Sequence, residues 1–532
     1  MRRSGSALLR AAVVAGLLAA VAIPAALATA TPSRSSNAAA RANVAAGSCE
    51  SLTGLQLRNT TIDSAVVAPA SETTPASCRV RASVTHPPAG DDVNVDIWMP
   101  VEGWNGRFQG VGGGGYAGSN PGSLAAPVAN GYAAGSTDTG HVGGAFEGDF
   151  ALDPDGGLNW QLIRDNAYLG VHEMTVVGKA VTAAFYGRQA RRSYWNGCST
   201  GGRQGLSEAQ RYPQDYDGIL SVAPAINWSR FIPAEFWPQL VMKETGNFLP
   251  QCKFAAFQAA AIEECDRVGD GATDSVIGDP GRCRFDARSL IGQSTECGTI
   301  TASDAEIVNK IIAGARSSEG DFLWYGLAPG SPFDGLANTV TSDAVTTGAP
   351  FPIALTHIGI WLLQDPAWDW KTVTYEQYDQ LFTQSVEQYT SVIGTDNPDL
   401  RAFKRAGGKI LIWHGWADQL IFPEGTIAYY ERVRDVVGGT REMEEFARLF
   451  MAPGVYHCAG GPGPQPDDPL SQVVAWVEKG RAPKTLNGVR RDAGGDVVQT
   501  RPICLYPEVA RYKGRGGVND ASSFSCNGRG WR

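Results

Sequence analysis

The stretch Ser193–Arg211, SYWNGCSTGGRQGLSEAQR, decides how the rest of the chain is read. It opens on a short β-prone run, Ser193-Tyr194-Trp195, and closes on a helix-prone stretch that reaches Arg211. Between them Gly197-Cys198-Ser199-Thr200-Gly201-Gly202 makes a sharp glycine turn. Strand, tight turn and helix are the frame of a doubly wound α/β sheet. Residues 197–201 also fit G-x-S-x-G, in which a serine sits on a strained strand-to-helix turn and its glycine neighbours admit that turn without side-chain clashes. Alone the pentapeptide is a weak signal in a chain with 64 Gly. The strand before it and the helix after it supply the context that it requires.

The same alternation appears on both sides of this stretch. Asp165–Gly187 has apolar residues at helical spacing, and VNVDIWMP from Val93, followed by WNGRFQGVGGGGYAG from Trp104, reads as strand and turn. Gly218–Val222 is the next expected strand. Between about Ala225 and Asn397 the alternation stops, and the chain becomes rich in Trp, Phe and Pro, with four of the ten cysteines. It resumes at Lys409–Trp413 (KILIW), at the helical Glu424–Val437 and at Arg448–Met451 (RLFM). The predicted architecture is an α/β-hydrolase core in two parts, 48–225 and 398–532, interrupted by a large inserted lid domain at 226–397. No internal repeat is visible.

The N-terminus sets the compartment. Residues 1–30 read as a signal peptide: Arg2, Arg3 and Arg10 form the charged start, Ala11–Ile23 supplies 13 apolar residues, and Ala28-Thr29-Ala30 fits an A-x-A cleavage site. That run is short for a bilayer span of ~20 residues. Residues 31–47 are an Ala/Ser-rich flexible leader. The expected localisation is therefore secreted, with no membrane partner. The ten cysteines, an even number without any C-x-x-C pair, then point to disulfides rather than to a zinc ribbon or a thioredoxin-like site.

Composition excludes other classes. With 43% hydrophobic residues and a net charge of -9 over 532 residues the chain is not disordered. Its glycines follow no three-residue period and no heptads persist, which excludes collagen-like and coiled-coil chains. A pI of about 5.3 and no basic run argue against a nucleic-acid partner.

A serine nucleophile needs a base to take its proton and a carboxylate to orient that base. Hydrolases of this fold place them in the order Ser, Asp or Glu, His. Of the six His, His457 follows the strand-like RLFMAPG in a glycine-rich loop, and Asp418 follows KILIW in the loop HGWADQL. Both sit just past the C-terminal end of an expected strand, where open α/β sheets carry their sites. The candidate triad is Ser199, Asp418 and His457; His414 is read as a positioning or structural histidine. Cys198 precedes Ser199 and Cys458 follows His457. If Ser199 and His457 are within hydrogen-bond reach, the two cysteines come within the Cα separation that a disulfide needs and clamp nucleophile to base. The oxyanion hole requires two backbone donors, and Thr200, after the nucleophile, supplies one. His172-Glu173 is not a zincin motif, because Val176 stands where H-E-x-x-H needs its second His; both residues are assigned to the helix before the nucleophile.

Taken together, GCSTGG at 197–202, HGWADQLI around Asp418 and PGVYHCAGGPG around His457 and Cys458 resemble the tannase/feruloyl esterase family of secreted α/β-hydrolases. That family also includes bacterial esterases of terephthalate mono-esters. The resemblance runs from Trp104-Asn105-Gly106-Arg107-Phe108 to YPEVARYKGRG near the C-terminus. It implies the Cys198–Cys458 bridge, and also Cys265–Cys283, Cys504–Cys526 and Cys49–Cys78; Cys252 and Cys297 are left, and can pair with each other. Gly110–Tyr116 resembles the loop that supplies the second oxyanion donor, with Gly114 the first choice and Gly113 the alternative.

Cys265–Pro280 alternates carboxylates and glycines, hard oxygen ligands that suit calcium. The loop is similar to the family's lid calcium loop, which implies Asp266, Asp270 and Asp274 with the carbonyls of Ala272 and Val276 as ligands of a structural ion. One extra residue between the first two Asp and Ser275 in place of a glycine depart from the family pattern. The activity implied is that of a serine carboxylesterase acting on aromatic acid esters, feruloyl or galloyl, as small molecules or on plant polyphenols and polysaccharides. Terephthalate mono-esters, another non-phenolic ester and a non-catalytic binding role stay open as alternatives. A substrate with a free carboxylate calls for a basic lid residue, for which Arg230, Lys243 and Lys371 are the candidates.

Overall fold

The computed structural model describes residues 48–343 and 345–527. The signal and leader readings at 1–47 lie outside the described residues. A nine-stranded sheet is built from β1 (Thr60–Ala68), β2 (Ser77–Val84), β3 (Val93–Pro100), β4 (Arg107–Val111), β5 (Ala133–Thr137), β6 (Arg192–Cys198), β7 (Gly218–Val222), β8 (Lys409–Gly415) and β9 (Ala447–Ala452). Their order in space is β1-β2-β3-β5-β4-β6-β7-β8-β9. β1, β2 and β3 form an antiparallel meander whose last strand is antiparallel to β5. From β5 to β9 every neighbouring pair is parallel.

The two halves of the sheet follow from their side chains. Parallel strands have both faces covered, so they read as continuous apolar runs. β7 and β9 (GILSV and ARLFMA) are buried almost throughout, and β8 (KILIWHG) is buried from Ile410 onward. β1 lies at the sheet's edge, mostly exposed, with a register shift between Ile62 and Ser64, as an edge strand protected from further pairing should be. Because β4, β6, β8 and β9 run in one direction, the loops after them share one edge. Those loops carry Gly112–Gly115, Ser199, Asp418 and His457.

Helix α1 (Gly170–Tyr186) follows a π-turn at Asp165–Leu169 and stops at Gly187, whose φ of 67° is the left-handed C-terminal stop that glycine allows. Helix α2 (Thr200–Arg211) starts directly after Ser199. The described residues of 223–408 give no strand to the central sheet. They contain α3 (Trp228–Glu235), α4 (Trp237–Thr245), α5 (Gln251–Cys265), α6 (Ala302–Ala313) and α7 (Tyr375–Tyr389). Trp228, Trp361 and Tyr389 of this segment are buried. Their rings pack with Tyr116 from the glycine loop, Trp228 and Trp361 at 5.6 and 5.4 Å from Tyr116 and Tyr389 at 5.4 Å from Trp361. These aromatics therefore bind the insertion to the loop after β4, a large contribution from buried ring area. Helices α8 (Pro423–Val437) and α9 (Pro469–Lys479) complete the core.

All ten cysteines are paired: Cys49–Cys78, Cys198–Cys458, Cys252–Cys297, Cys265–Cys283 and Cys504–Cys526. Among the described residues, no helix is long and apolar enough to cross a membrane.

Candidate active site

Ser199 has φ 61° and ψ -124°, a conformation that costs a non-glycine residue on the order of 1–3 kcal/mol. Its backbone is held on both sides. Ser199 N donates to Val222 O at 3.0 Å, and its carbonyl accepts from Arg203 N and Ala225 N at 3.0 Å each. The turn is tight enough that a Cβ on Gly197 would lie 2.5 Å from the carbonyl carbon and oxygen of Gly201. Only glycine fits there, so the pattern of the pentapeptide is a consequence of backbone-to-backbone contact.

Asp418 is fully buried and collects four donors. Oδ1 accepts from Leu420 N and Ile421 N at 2.9 Å each, and Oδ2 accepts from His457 Nδ1 at 2.8 Å and His414 Nε2 at 3.0 Å. Burial alone would raise its pKa; His457 and His414 outweigh it and hold the carboxyl well below the usual carboxylate range. A ring that donates from Nδ1 presents an unprotonated Nε2 when neutral, the tautomer a general base needs. His414 is inside β8 and fully buried, its Nδ1 2.9 Å from Thr426 Oγ1. With Nε2 facing Asp418 Oδ2 and, at 3.2 Å, Ile421 O, it is a donor to Asp418 and has no open face for a substrate.

The Cys198–Cys458 bridge, with Cα atoms 5.8 Å apart, joins the residue before Ser199 to the residue after His457. Structure thus brings the loops of all three triad candidates to one edge. His457 N also donates to Gln419 Oε1 at 3.1 Å, a contact that sequence reading did not find.

The glycine loop sits directly on the serine turn. A Cβ on Gly112 would lie 2.3 Å from Gly201 Cα, Gly201 N donates to Gly113 O at 2.9 Å, and Thr200 Oγ1 donates to Gly115 O at 2.6 Å. Gln204, one turn along α2 from Thr200, accepts from Gly113 N at 3.0 Å through Oε1. The Gly113 N–H is therefore already engaged, which distinguishes it from Gly114. Thr200 N is the first of the helix, one of the N–H groups without an intrahelical acceptor. Gln204 and Gln419 were missed because an amide on a helix or loop has no motif; the i, i+4 spacing from Thr200 is the signal that could have found Gln204.

In the acidic loop, Asp266 Oδ1 accepts from Asp274 N and Val276 N at 3.2 Å, and Asp270 Oδ1 accepts from Ala272 N at 3.0 Å. The buried Arg501, 231 residues away in sequence, donates to Asp270 Oδ2 at 3.1 Å and also to Asp274 Oδ2. Burial pushes the Asp270 carboxyl up to about 6, against the Ala272 N–H and Arg501, which lower it. Three carboxylates against one guanidinium leave two negative charges, which the hard oxygen donors of a divalent-cation site would carry. The loop is remote from His457 in sequence but not in space: a Cβ on Gly454 would lie 3.0 Å from Val276 Cγ1. Of the basic candidates, Lys243 is tied to Glu244 Oε1 at 2.6 Å and to Val373 O at 2.8 Å.

The family model described as "Tannase and feruloyl esterase" matches residues 78–527. A relative from Arthroderma benhamiae named "Probable feruloyl esterase" is 42% identical over 459 residues, 84% of this chain and 85% of its own. An uncharacterized esterase of Xanthomonas campestris pv. campestris is 31% identical over 536 residues, with 91% of each chain covered. Among solved structures, feruloyl esterase B from Aspergillus oryzae superposes with a TM-score of 0.79 at 29% identity, covering 90% of this chain and 99% of that one. Tannin acyl hydrolase from Aspergillus niger does so with a TM-score of 0.80 at 28% identity, covering 89% and 92%. The chain, an α/β-hydrolase fold with a large insertion, belongs to the tannase and feruloyl esterase family and is a carboxylic ester hydrolase.

Proposed function

We propose that the protein is a secreted serine esterase of aromatic acid esters of the feruloyl or galloyl type, working through an acyl-enzyme on Ser199. One observation carries the reading: Asp418 fixes His457 through Nδ1 while a disulfide ties the neighbour of His457 to the neighbour of a serine in a strained strand-to-helix turn. Ser199 Oγ attacks the ester carbonyl carbon as His457 Nε2 takes its proton. Negative charge on the carbonyl oxygen is met by the N–H groups of Thr200 and Gly114, preorganised donors that cost no rearrangement as charge develops. His457 then returns the proton to the departing alcohol. Water attacks the acyl-enzyme with His457 again as base, releasing the acid and restoring Ser199. The imidazolium formed in both steps rests against an Asp418 that is ionised and already desolvated, so no reorganisation is needed there.

The phenolic acyl group comes from the names of the relatives and solved neighbours, feruloyl esterases and a tannin acyl hydrolase. Five disulfides suit an oxidising, extracellular compartment. The acidic loop would hold a structural calcium through Asp266, Asp270 and Asp274 with the carbonyls of Ala272 and Val276. A bound calcium supplies charge neutralisation for the three carboxylates. Through Val276 against Gly454, an ordered loop steadies the turn that leads to His457.

The test is Ser199→Ala: the variant should fold as the wild type and lose hydrolysis of both methyl ferulate and methyl gallate. Retained turnover contradicts the proposal. A kinetic panel that adds a terephthalate mono-ester assigns the acyl group.

A further inference from the structure

Helix α1 directs His172 at the C-terminal end of α2 and at the loop before β7. There, one ring nitrogen of His172 and one carboxylate oxygen each of Glu208 and Asp215 lie within 4.8 Å of one another. His172 Nδ1 and Asp215 Oδ2 are 2.6 Å apart. Glu208 is 1% exposed, and no donor group reaches either of its carboxylate oxygens, which have only the Asp215 carboxyl beside them. A buried carboxylate without donors, next to a second carboxylate, is costly unless a cation or a proton compensates it. Lys179 Nζ donates to the backbone carbonyl of Asp215 and not to Glu208.

We propose that His172, Glu208 and Asp215 form a divalent transition-metal site of the zinc class, distinct from the acidic loop at 266–276. One imidazole and two carboxylates are a mixed nitrogen and oxygen donor set, which suits zinc or manganese better than calcium, whose ligands are oxygens. Metal–ligand bonds of about 2.0–2.2 Å place neighbouring donor atoms about 3 Å apart, so an ion needs only a small opening between His172 and Asp215. The His172 ring is fixed for this role by stacking on Tyr212, with centroids 3.6 Å apart and planes at 6°. His172 and Asp215 keep 27% and 16% of their side-chain surface exposed, a route for the ion and for completing waters. Among the described residues, two other groupings of such residues do not qualify. His86 has both ring nitrogens engaged, by Asp91 at 2.5 Å and by Glu173 at 2.6 Å, and the cysteines beside Glu296 are disulfide-bonded.

The consequence is structural. Helix α2 begins at the nucleophile turn, and an ion at its far end would pin it to α1 and to the start of β7, stiffening the element that carries Ser199.

The mature protein is dialysed against chelator, resaturated with calcium and titrated with Zn²⁺ by calorimetry. We expect a single saturable zinc equivalent per chain and a rise in Tm. His172→Gln and Asp215→Asn, both at partly exposed positions, should weaken binding about tenfold or more and abolish the rise, with the calcium dependence of Tm unchanged. A second measurement needs no variant: in the wild-type protein zinc should protect His172 from diethylpyrocarbonate, read by peptide mass. No saturable binding, equal binding by both variants, or an unprotected His172 overturns the proposal and leaves a proton shared by Glu208 and Asp215 as the occupant.

Discussion

His457 and His414 donate to the same oxygen of Asp418, at 2.8 and 3.0 Å, and replacing His414 with Leu separates their roles. Leu fills the buried space but removes one donor to a charged acceptor, a loss of about 1.5–3 kcal/mol. At about 1.4 kcal/mol per pKa unit, the Asp418 carboxyl rises by roughly one to two units. It starts well below the usual carboxylate range, so it stays ionised at neutral pH, and the N–H groups of Leu420 and Ile421 still hold Oδ1. A less well-compensated Asp418 attracts the imidazolium more strongly. The acid limb of the kcat/KM profile should therefore move to higher pH, by about half to one unit if about half of the lost energy is passed on. Plateau kcat for methyl ferulate should fall by less than about 30-fold, against about 10⁴-fold or more for His457→Ala. Tm should fall by a few degrees, and His414→Gln, which keeps a donor, should recover part of both effects. A His414→Leu enzyme as inactive as His457→Ala would make His414 the base. A profile that does not move would show that the shared carboxylate does not couple the two rings.

Gln204→Leu frees the Gly113 N–H and loosens the oxyanion loop, so kcat should fall by about 10- to 100-fold with KM little changed; a change confined to KM would argue against it. Replacing Cys198 and Cys458 together by Ala should lower kcat by about 10²-fold through misplacement of Ser199 against His457, and stability by about 2–4 kcal/mol; unchanged kcat would show that the bridge does not set the geometry. Chelation should lower Tm, by the equivalent of about 4 kcal/mol when free calcium had been a thousandfold above its dissociation constant, and Asp270→Asn should remove that dependence; a Tm indifferent to chelator contradicts the calcium loop. Burial, aided by the charge of Asp91, pushes the Asp165 carboxyl up to about 7, above an unfolded value of about 3.9. The folded state then holds the proton that the unfolded chain releases, so its contribution is full below about pH 4 and is lost as pH rises to about 7, at most about 4 kcal/mol. Asp165→Asn, which does not titrate, should gain in Tm over the wild type between those values and keep the gain above them; parallel Tm profiles would refute it.

Much of the site was legible because its elements are locally encoded. β7, β8 and β9 are largely apolar runs, β6 shows itself by the β-prone Ser193-Tyr194-Trp195, and the glycines around Ser199 record a backbone contact that no other residue permits. β5, AAGST, was not recognised: Ala and Gly carry little strand preference, and the strand exists because β3 and β4 flank it. β1 was missed because its mostly exposed, polar-interrupted residues (TTIDSAVVA) resemble loop composition, whereas β2 (SCRVRASV) carries a period-2 alternation of buried Cys78, Val80, Ala82 and Val84 that went unread. Arg501 beside the acidic loop could not be read at all, because a pair 231 residues apart leaves no local pattern. The aromatic residues of 226–397 were visible, but their burial against Tyr116 gives them a packing role that composition does not reveal.

Hydrolysis through Ser199 requires a covalent intermediate at one hydroxyl. Rapid acid quench of the enzyme during turnover of methyl ferulate, followed by non-reducing peptide mapping, reads it directly. We predict a feruloyl ester on Ser199, in a peptide joined through Cys198 to the one that carries His457. Turnover with Ser199 unmodified at every quench time, or an acyl group on another residue, would contradict the mechanism.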